Sequence, residues 1–289
     1  MIDPRSSIMV VKVGGTKGVD FAAICRDVAK LAAPGTVGQG VRPVLVHGGS
    51  AEANEFGEAL GHPARTITSP SGYTSRYTDR RTLEIFAAAV NGKVNTLLVE
   101  QLQGLGVNAV GLCGLDGRLL QATRKEAVYS IENGKRKIVR DDFTGKITGV
   151  NTPLLKTLLA GGYTPVVAPL AAGGAGEALN VDADRAAAMI AAALRAETLI
   201  LLTGAAGLLR AFPDENTLIH HMPATRLEEA LGFAEGRMKK KVLGASEALA
   251  GGVGRVIIAD GRVEEPISRA LAGHGTLIDL GEIGGYFFS

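Results

Sequence analysis

Short, almost wholly apolar runs punctuate this chain, and longer stretches of alanine and leucine mixed with charged residues lie between them. The runs are Ile8 to Val13, Pro43 to Val46, Ala109 to Leu112, Thr164 to Ala168, Thr198 to Leu202 and Arg255 to Ala259. A strand with one wet face alternates apolar with polar residues; these do not, so they predict strands covered on both faces. Phe21 to Ala32, Ala51 to Leu60, Asp79 to Leu105, Thr152 to Ala160, Asp182 to Arg195 and Leu227 to Leu231 are predicted to be helices. Alternation of the two predicts an α/β fold, a three-layer αβα sandwich around a central, mostly parallel sheet.

A chain of 289 residues is long enough for one large domain or two joined lobes. No repeat of about 20–50 residues is present. The Gly/Ala-rich stretch PLAAGGAGEALN at 169–180 is the candidate join, and the expected division is an N-terminal lobe, 1–172, and a C-terminal lobe, 173–289.

The net charge is only +2, which argues against general nucleic-acid binding. Cys25 and Cys113 stand far apart, with no cysteine or histidine at ligand spacing beside either. Neither a disulfide framework nor a metal centre is expected, and a reducing compartment is. No basic leader precedes an apolar stretch and no run of about eighteen apolar residues occurs, so the expectation is a cytoplasmic protein with no membrane partner.

Three predicted strands end in glycine: VVKVGGTKG at 10–18, VLVHGGSAE at 44–52 and ILLTGAAGLL at 200–209. Glycine after a strand lets backbone N–H groups approach an anion, and a following helix start adds its positive end. One such turn alone is more economically read as a tight connection; three at strand ends, where open α/β sheets bind ligands, point to an anion site. Neither the P-loop pattern nor G-x-G-x-x-G after a strand is present, and protein-kinase landmarks are absent. Lys12 is the sharper feature, because a lysine inside a buried strand is costly unless its ammonium meets solvent or an anion. A second lysine candidate lies in EGRMKKKVLGASEAL at 235–249, where two of Lys239, Lys240 and Lys241 are expected on a solvated face.

Taken together, K-x-G-G on the first strand, H-G-G on the second, S-R-Y-T-D at 75–79, N-V-D-A-D at 180–184, T-G-x-x-G-L at 203–208 and G-R-M-K-K-K-V at 236–242 resemble the amino acid kinase family. The resemblance runs from about residue 8 to about residue 280 and is strongest toward the N-acetylglutamate kinase branch. It implies the amino acid kinase fold, with acceptor binding and oligomer contacts in the first lobe and ATP binding in the second. Within the branch, GYTSRYTD at 72–79 carries Tyr77 where acetylglutamate kinases usually have an aliphatic residue. That form resembles the aminoadipate kinases, which phosphorylate 2-aminoadipate joined through its amino group to a small acidic carrier protein. Acetylglutamate kinase, or an enzyme also using carrier-linked glutamate, stays open as the alternative.

Carried over by position, the resemblance implies that Lys12 and Lys241 stabilise the transition state and that Asp184 holds their ammonium groups. Gly48 and Gly49 are implied to bind substrate through their N–H groups, with Arg76, Tyr77 and Asn180 at the substrate. Gly14 and Gly15 are implied to cradle phosphate, and the nucleotide to lie over Thr203, Gly204, Gly207 and Leu208 and the approach to Lys241. The implied cofactors are ATP and Mg²⁺, the metal entering mainly on the nucleotide. Blander readings stand beside these: Arg76 as an ion-pair partner of Asp79, Asn180 as a helix N-cap, Asp182 or Asp184 as complements to a helix dipole.

Residues 124–146 read as a hairpin closed by the Asn133-Gly134 turn. Lys135, Arg136, Lys137 and Arg140 cluster around that turn. They are either a soluble hairpin rim or a patch that steers an acidic partner; the resemblance favours the carrier protein. Gly204 stands where acetylglutamate kinases often have aspartate, and Thr16 and Ser50 stand where members vary. No long N-terminal helix of the ring-forming kind precedes Ile8, so a homodimer is expected. The tail GEIGGYFFS lies past the resemblance and is assigned no function.

Overall fold

The computed structural model describes residues 7–14, 18–33, 41–68, 74–124, 128–132 and 135–281. Its strands are β1 Ile8–Val13, β2 Arg42–His47, β3 Thr66–Thr68, β4 Thr74–Arg76, β5 Ala109–Cys113, β6 Leu120–Arg124, β7 Val128–Glu132, β8 Lys135–Val139, β9 Gly145–Val150, β10 Thr164–Ala168, β11 Leu170–Ala172, β12 Ala178–Asn180, β13 Thr198–Thr203, β14 His221–Pro223, β15 Arg255–Asp260 and β16 Thr276–Asp279. Its α-helices are α1 Phe21–Ala32, α2 Ser50–Ala59, α3 Arg80–Ala87, α4 Thr96–Gly104, α5 Thr152–Ala160, α6 Ala183–Leu194, α7 Leu227–Phe233, α8 Gly236–Ala250 and α9 Pro266–Leu271.

The main sheet has the order β14-β16-β15-β13-β1-β2-β10-β5. Its six strands from β15 to β5 run parallel, and β16 turns back antiparallel on β15. All six apolar runs read from the sequence are strands here. They share a direction, so their C-terminal ends open on one edge of the sheet.

The pleat divides the core. Val10 packs with Val44, Val46 and Leu201 beneath α6 and α8, while Met9, Val11 and Val13 pack with Leu45, Ile24 and Leu98 beneath α1 and α4. Alternation along β1 therefore turns Lys12 to the α6 face with Val10. Lys12 pairs in register with Leu201 on one side and Val46 on the other, so it sits in a central strand and not on an edge.

Where the structure departs from the sequence reading, short or irregular elements are the cause. The predicted helix Asp79 to Leu105 is continuous but contains a π-helical stretch, Ala88–Asn95, between α3 and α4. The glycine-rich stretch expected as a join is an antiparallel hairpin, β11 against β12, with Leu170 opposite Asn180. It belongs to a second sheet, β12-β11-β6-β9, which the sequence did not announce, because its strands are short and partly solvated. The hairpin of β7 and β8 is present, with Glu132 opposite Lys135; Asn133 and Gly134 lie outside the described residues. Cys25 is buried, Cys113 half-buried and both are free thiols. Among the described residues no helix is long and apolar enough to cross a membrane.

Candidate active site

Asp182 caps α6: its side chain accepts hydrogen bonds from the N–H groups of Asp184, at 3.0 Å, and Arg185, at 3.1 Å. The cap fixes the first helical turn and with it the carboxylate of Asp184, which faces Lys12 across the α6 side of the sheet. Lys12 Nζ lies 2.9 Å from Asp184 Oδ1. From α8, Lys241 Nζ donates to the same oxygen at 2.9 Å and to Oδ2 at 3.0 Å. Gly244, one turn further along α8, packs against the backbone of Asp184, so the two helices approach closely where the charges meet.

All three groups are buried, each less than 10 % exposed. Burial alone raises the Asp184 carboxyl, but the two ammonium charges beside it outweigh that and hold it well below the ordinary carboxylate range. At Lys241 burial wins instead and lowers the ammonium, against the pull of Asp184 and with the help of Lys12. One carboxylate for two cations leaves a net positive charge in a dry place, which is suited to a highly charged anion. Lys239 and Lys240 are half-buried, with Lys240 3.8 Å from Asp182.

The second glycine turn ends β2. The Gly48 N–H continues the sheet by donating to Val13 O at 3.0 Å, so it is already engaged. Gly49 caps α2 with no side chain, and among the described residues no acceptor takes its N–H. A Cβ at Gly49 would lie 2.6 Å from Val90 Cγ1; only glycine fits. Arg76, at the end of β4, reaches Ser50 O at 3.2 Å and Asn54 Oδ1 at 2.6 Å. It is half-buried, and burial lowers its pKa. Among the described residues it meets no carboxylate, because Asp79 instead caps α3 through Thr82 N at 2.7 Å and lies 3.4 Å from His62. Asn180 is not a helix cap either: from β12 it donates to Thr78 Oγ1 at 3.0 Å. Tyr77 is buried under Arg65, and its hydroxyl donates to Asp141 Oδ2 at 2.6 Å; burial, then that hydrogen bond, pushes the phenol up to about 12.

At the turns that the resemblance implies for the nucleotide, Gly14 is buried at the end of β1 and Gly15 lies outside the described residues. Thr203 ends β13, Gly204 is exposed with open space at its Cα, and Gly207 is closely packed by Leu218 and Thr276. The Leu208 N–H donates to Thr276 Oγ1 at 2.8 Å, which shapes the turn from within. On the hairpin, Lys137 and Arg140 are exposed, while the side chains of Lys135 and Arg136 lie outside the described residues.

Two residues that the sequence reading passed over complete the arrangement. His47, fully buried, places Nδ1 2.7 Å from Gly48 O and Nε2 2.9 Å from Asn95 Nδ2. Asn95 also donates to Val166 O at 2.8 Å. The signals were a histidine beside a glycine turn and, within the predicted helix Asp79 to Leu105, an asparagine flanked by Val94.

The order of these motifs along the chain is that of a single family. Residues 7–260 match the profile of the amino acid kinase family. The chain belongs to that family. It is 57% identical over 272 residues to the LysW-aminoadipate kinase of Deinococcus radiodurans, covering 94% of this chain and 91% of that one. It is 51% identical over 273 residues to the LysW-aminoadipate kinase of Thermus thermophilus, covering 94% of this chain and all of that one. Among solved structures it resembles N-acetylglutamate synthase from Neisseria gonorrhoeae, with a TM-score of 0.75 and 26% identity. That match covers 97% of this chain but only 60% of the synthase. As an amino acid kinase the chain uses ATP.

Proposed function

We propose that this chain transfers the γ-phosphoryl group of ATP to the side-chain carboxylate of 2-aminoadipate held through its amino group on a small acidic carrier protein. The observation that carries this reading is the bridge of Asp184 between Lys12 and Lys241, a buried, net-positive pair of cations at the mouth of a parallel sheet. The relatives' names, which pair LysW with aminoadipate, supply the acceptor.

A carboxylate is ionised at neutral pH and needs no general base. Its oxygen attacks the γ-phosphorus, the bond from that phosphorus to the bridging oxygen breaks, and ADP leaves as an acyl phosphate forms. The obstacle is repulsion between anions and charge spread over the transferring oxygens, so lysines and aimed N–H groups accelerate the step by positioning and electrostatic stabilisation. Lys12 and Lys241 serve that charge, Asp184 holds both ammonium groups in place, and Gly49 offers an N–H. Arg76 and Asn180 orient the acceptor's α-carboxylate, with Tyr77 shaping its seat.

Gly14 and Gly15, with the turn Thr203, Gly204, Gly207 and Leu208, form the nucleotide side. Among the described residues no group of three or more His, Cys, Asp or Glu side chains is placed to hold a metal ion; Mg²⁺ would enter mainly on the nucleotide and would supply counter-charge to its phosphates. The first 172 residues are read as the acceptor lobe and 173–289 as the nucleotide lobe. Lys135, Arg136, Lys137 and Arg140 are read as the carrier's docking patch, and the enzyme as a cytoplasmic homodimer.

The test is phosphorylation of three acceptors with the purified chain and MgATP: carrier-linked aminoadipate, carrier-linked glutamate and free N-acetylglutamate. Turnover is expected on carrier-linked aminoadipate. Turnover on free N-acetylglutamate in preference to it overturns the reading.

A further inference from the structure

The hydrogen bonds around His47 fix its protonation. Val166 O can only accept, so the group facing it from Asn95 is the Nδ2 amide. The same Nδ2 meets His47 Nε2 at 2.9 Å, so Nε2 is the bare, accepting nitrogen and the ring proton is on Nδ1. That proton goes to Gly48 O, at 2.7 Å. Burial keeps the ring neutral, its pKa pushed down to about 4; the Gly48 carbonyl opposes this and the Lys12 charge adds to it. Among the described residues, Lys12 is the charged group that acts on the ring, and Asn95 and Val166 present neutral groups.

A trans peptide is planar, and its C=O and the next residue's N–H point in opposite directions. His47 stands opposite Val13 in the sheet register, on the α1 and α4 face, whereas Lys12 faces α6. Holding the Gly48 carbonyl toward His47 therefore turns the Gly49 N–H away, toward the face that carries Lys12 and Asp184. Asn95 is the last residue of the π-helical stretch, an irregularity often found at functional sites, and it delivers the amide to the ring.

We infer that His47, locked by Asn95 as the Nδ1-protonated tautomer, is a positioning residue that aims the Gly49 N–H at the transferring phosphoryl group or the attacking carboxylate. This inference rests on the carboxylate-kinase reading above. It assigns to a buried histidine the task of setting one peptide plane, with no contact of its own to substrate.

The substitutions that separate this role from simple packing are His47→Asn, which keeps a donor near the Nδ1 position, and His47→Gln, which moves the amide to the Nε2 position. With MgATP and carrier-linked aminoadipate, His47→Gln is expected to lower kcat about 100-fold with KM changed less than about threefold, since a donor used in the transition state is misdirected. His47→Asn is expected to stay within about tenfold of the natural enzyme. Equal losses in the two variants, or full activity in both, overturn the inference. A measurement that needs neither variant nor turnover is the ¹⁵N spectrum of the imidazole in the natural chain. Protonated Nδ1 with bare Nε2 at pH 7.5 supports the inference; the opposite tautomer or a doubly protonated ring overturns it. Because that spectrum involves no acceptor, its outcome is distinct from failure of the proposed reaction.

Discussion

Lys241 donates to both carboxylate oxygens of Asp184, at 2.9 and 3.0 Å, although 57 positions separate them in the chain. Lys12 takes one of those oxygens as well. The three charges form one buried unit, and their separate removal should have different consequences.

In the proposed reaction, Lys12→Ala and Lys241→Ala would each withdraw a cation from the transferring phosphoryl group. Each is expected to lower kcat by roughly 100- to 1,000-fold, the scale of one preorganised electrostatic contact in a dry site. Removing one ammonium also relieves repulsion from the other, so stability should change little. Steady-state kinetics beside thermal melts checks both halves; near-normal turnover in either variant removes that lysine from the mechanism.

Asp184→Asn leaves two buried ammonium groups without their shared counter-charge. A loss of about 3–5 kcal/mol in unfolding free energy is expected, as for other broken buried pairs, measurable by urea titration. The folded-state carboxyl of Asp184 lies below its ordinary value. Its contribution is therefore present above the unfolded value and is lost as pH falls toward the folded one.

His47 gives a second pH dependence, in a milder range. Its folded pKa of about 4 lies below the ordinary 6.5, so the unfolded chain binds the extra proton first as pH falls. The stability contribution is complete above about pH 6.5 and declines between there and about pH 4, by roughly 3 kcal/mol. Urea midpoints at pH 7, 5.5 and 4.5 should fall in that order, and His47→Asn should flatten the decline.

Arg76 meets neutral acceptors only, Ser50 O and Asn54 Oδ1, among the described residues. A guanidinium placed so has its charge available for an acceptor's carboxylate. Arg76→Met is expected to raise KM for the carrier-linked acceptor by about 10- to 100-fold, the range of a hydrogen bond to a charged group, with KM for ATP unchanged. An equal rise in both would place Arg76 elsewhere in the cycle.

Charge reversal at Arg136 and Lys137 on β8 tests the docking patch. If those cations steer an acidic carrier, kcat/KM for the carrier-linked acceptor should fall about tenfold at low salt, and the gap should close at high ionic strength, where screening removes steering. Unchanged kinetics at low salt would dismiss the patch.

The sequence by itself determined the layered α/β fold. Six apolar runs became six strands because covering both faces of a parallel sheet demands such runs, and no other element uses them at that length. It also named Lys12, since a cation in an apolar run is anomalous without any knowledge of its partner. The short second sheet escaped, as its three- to six-residue strands carry no strong period. The tertiary structure decided what no linear pattern states: that the pleat turns Lys12 to the α6 face, and that Asp182 rather than Asn180 caps α6. It also showed that Asn95, delivered by a π-helical stretch, meets His47 across 48 positions. These are properties of pairs brought together by packing. Periodicity records which face of its own element a residue occupies, but the direction of a peptide plane or the sharing of one carboxylate between two lysines depends on two elements at once.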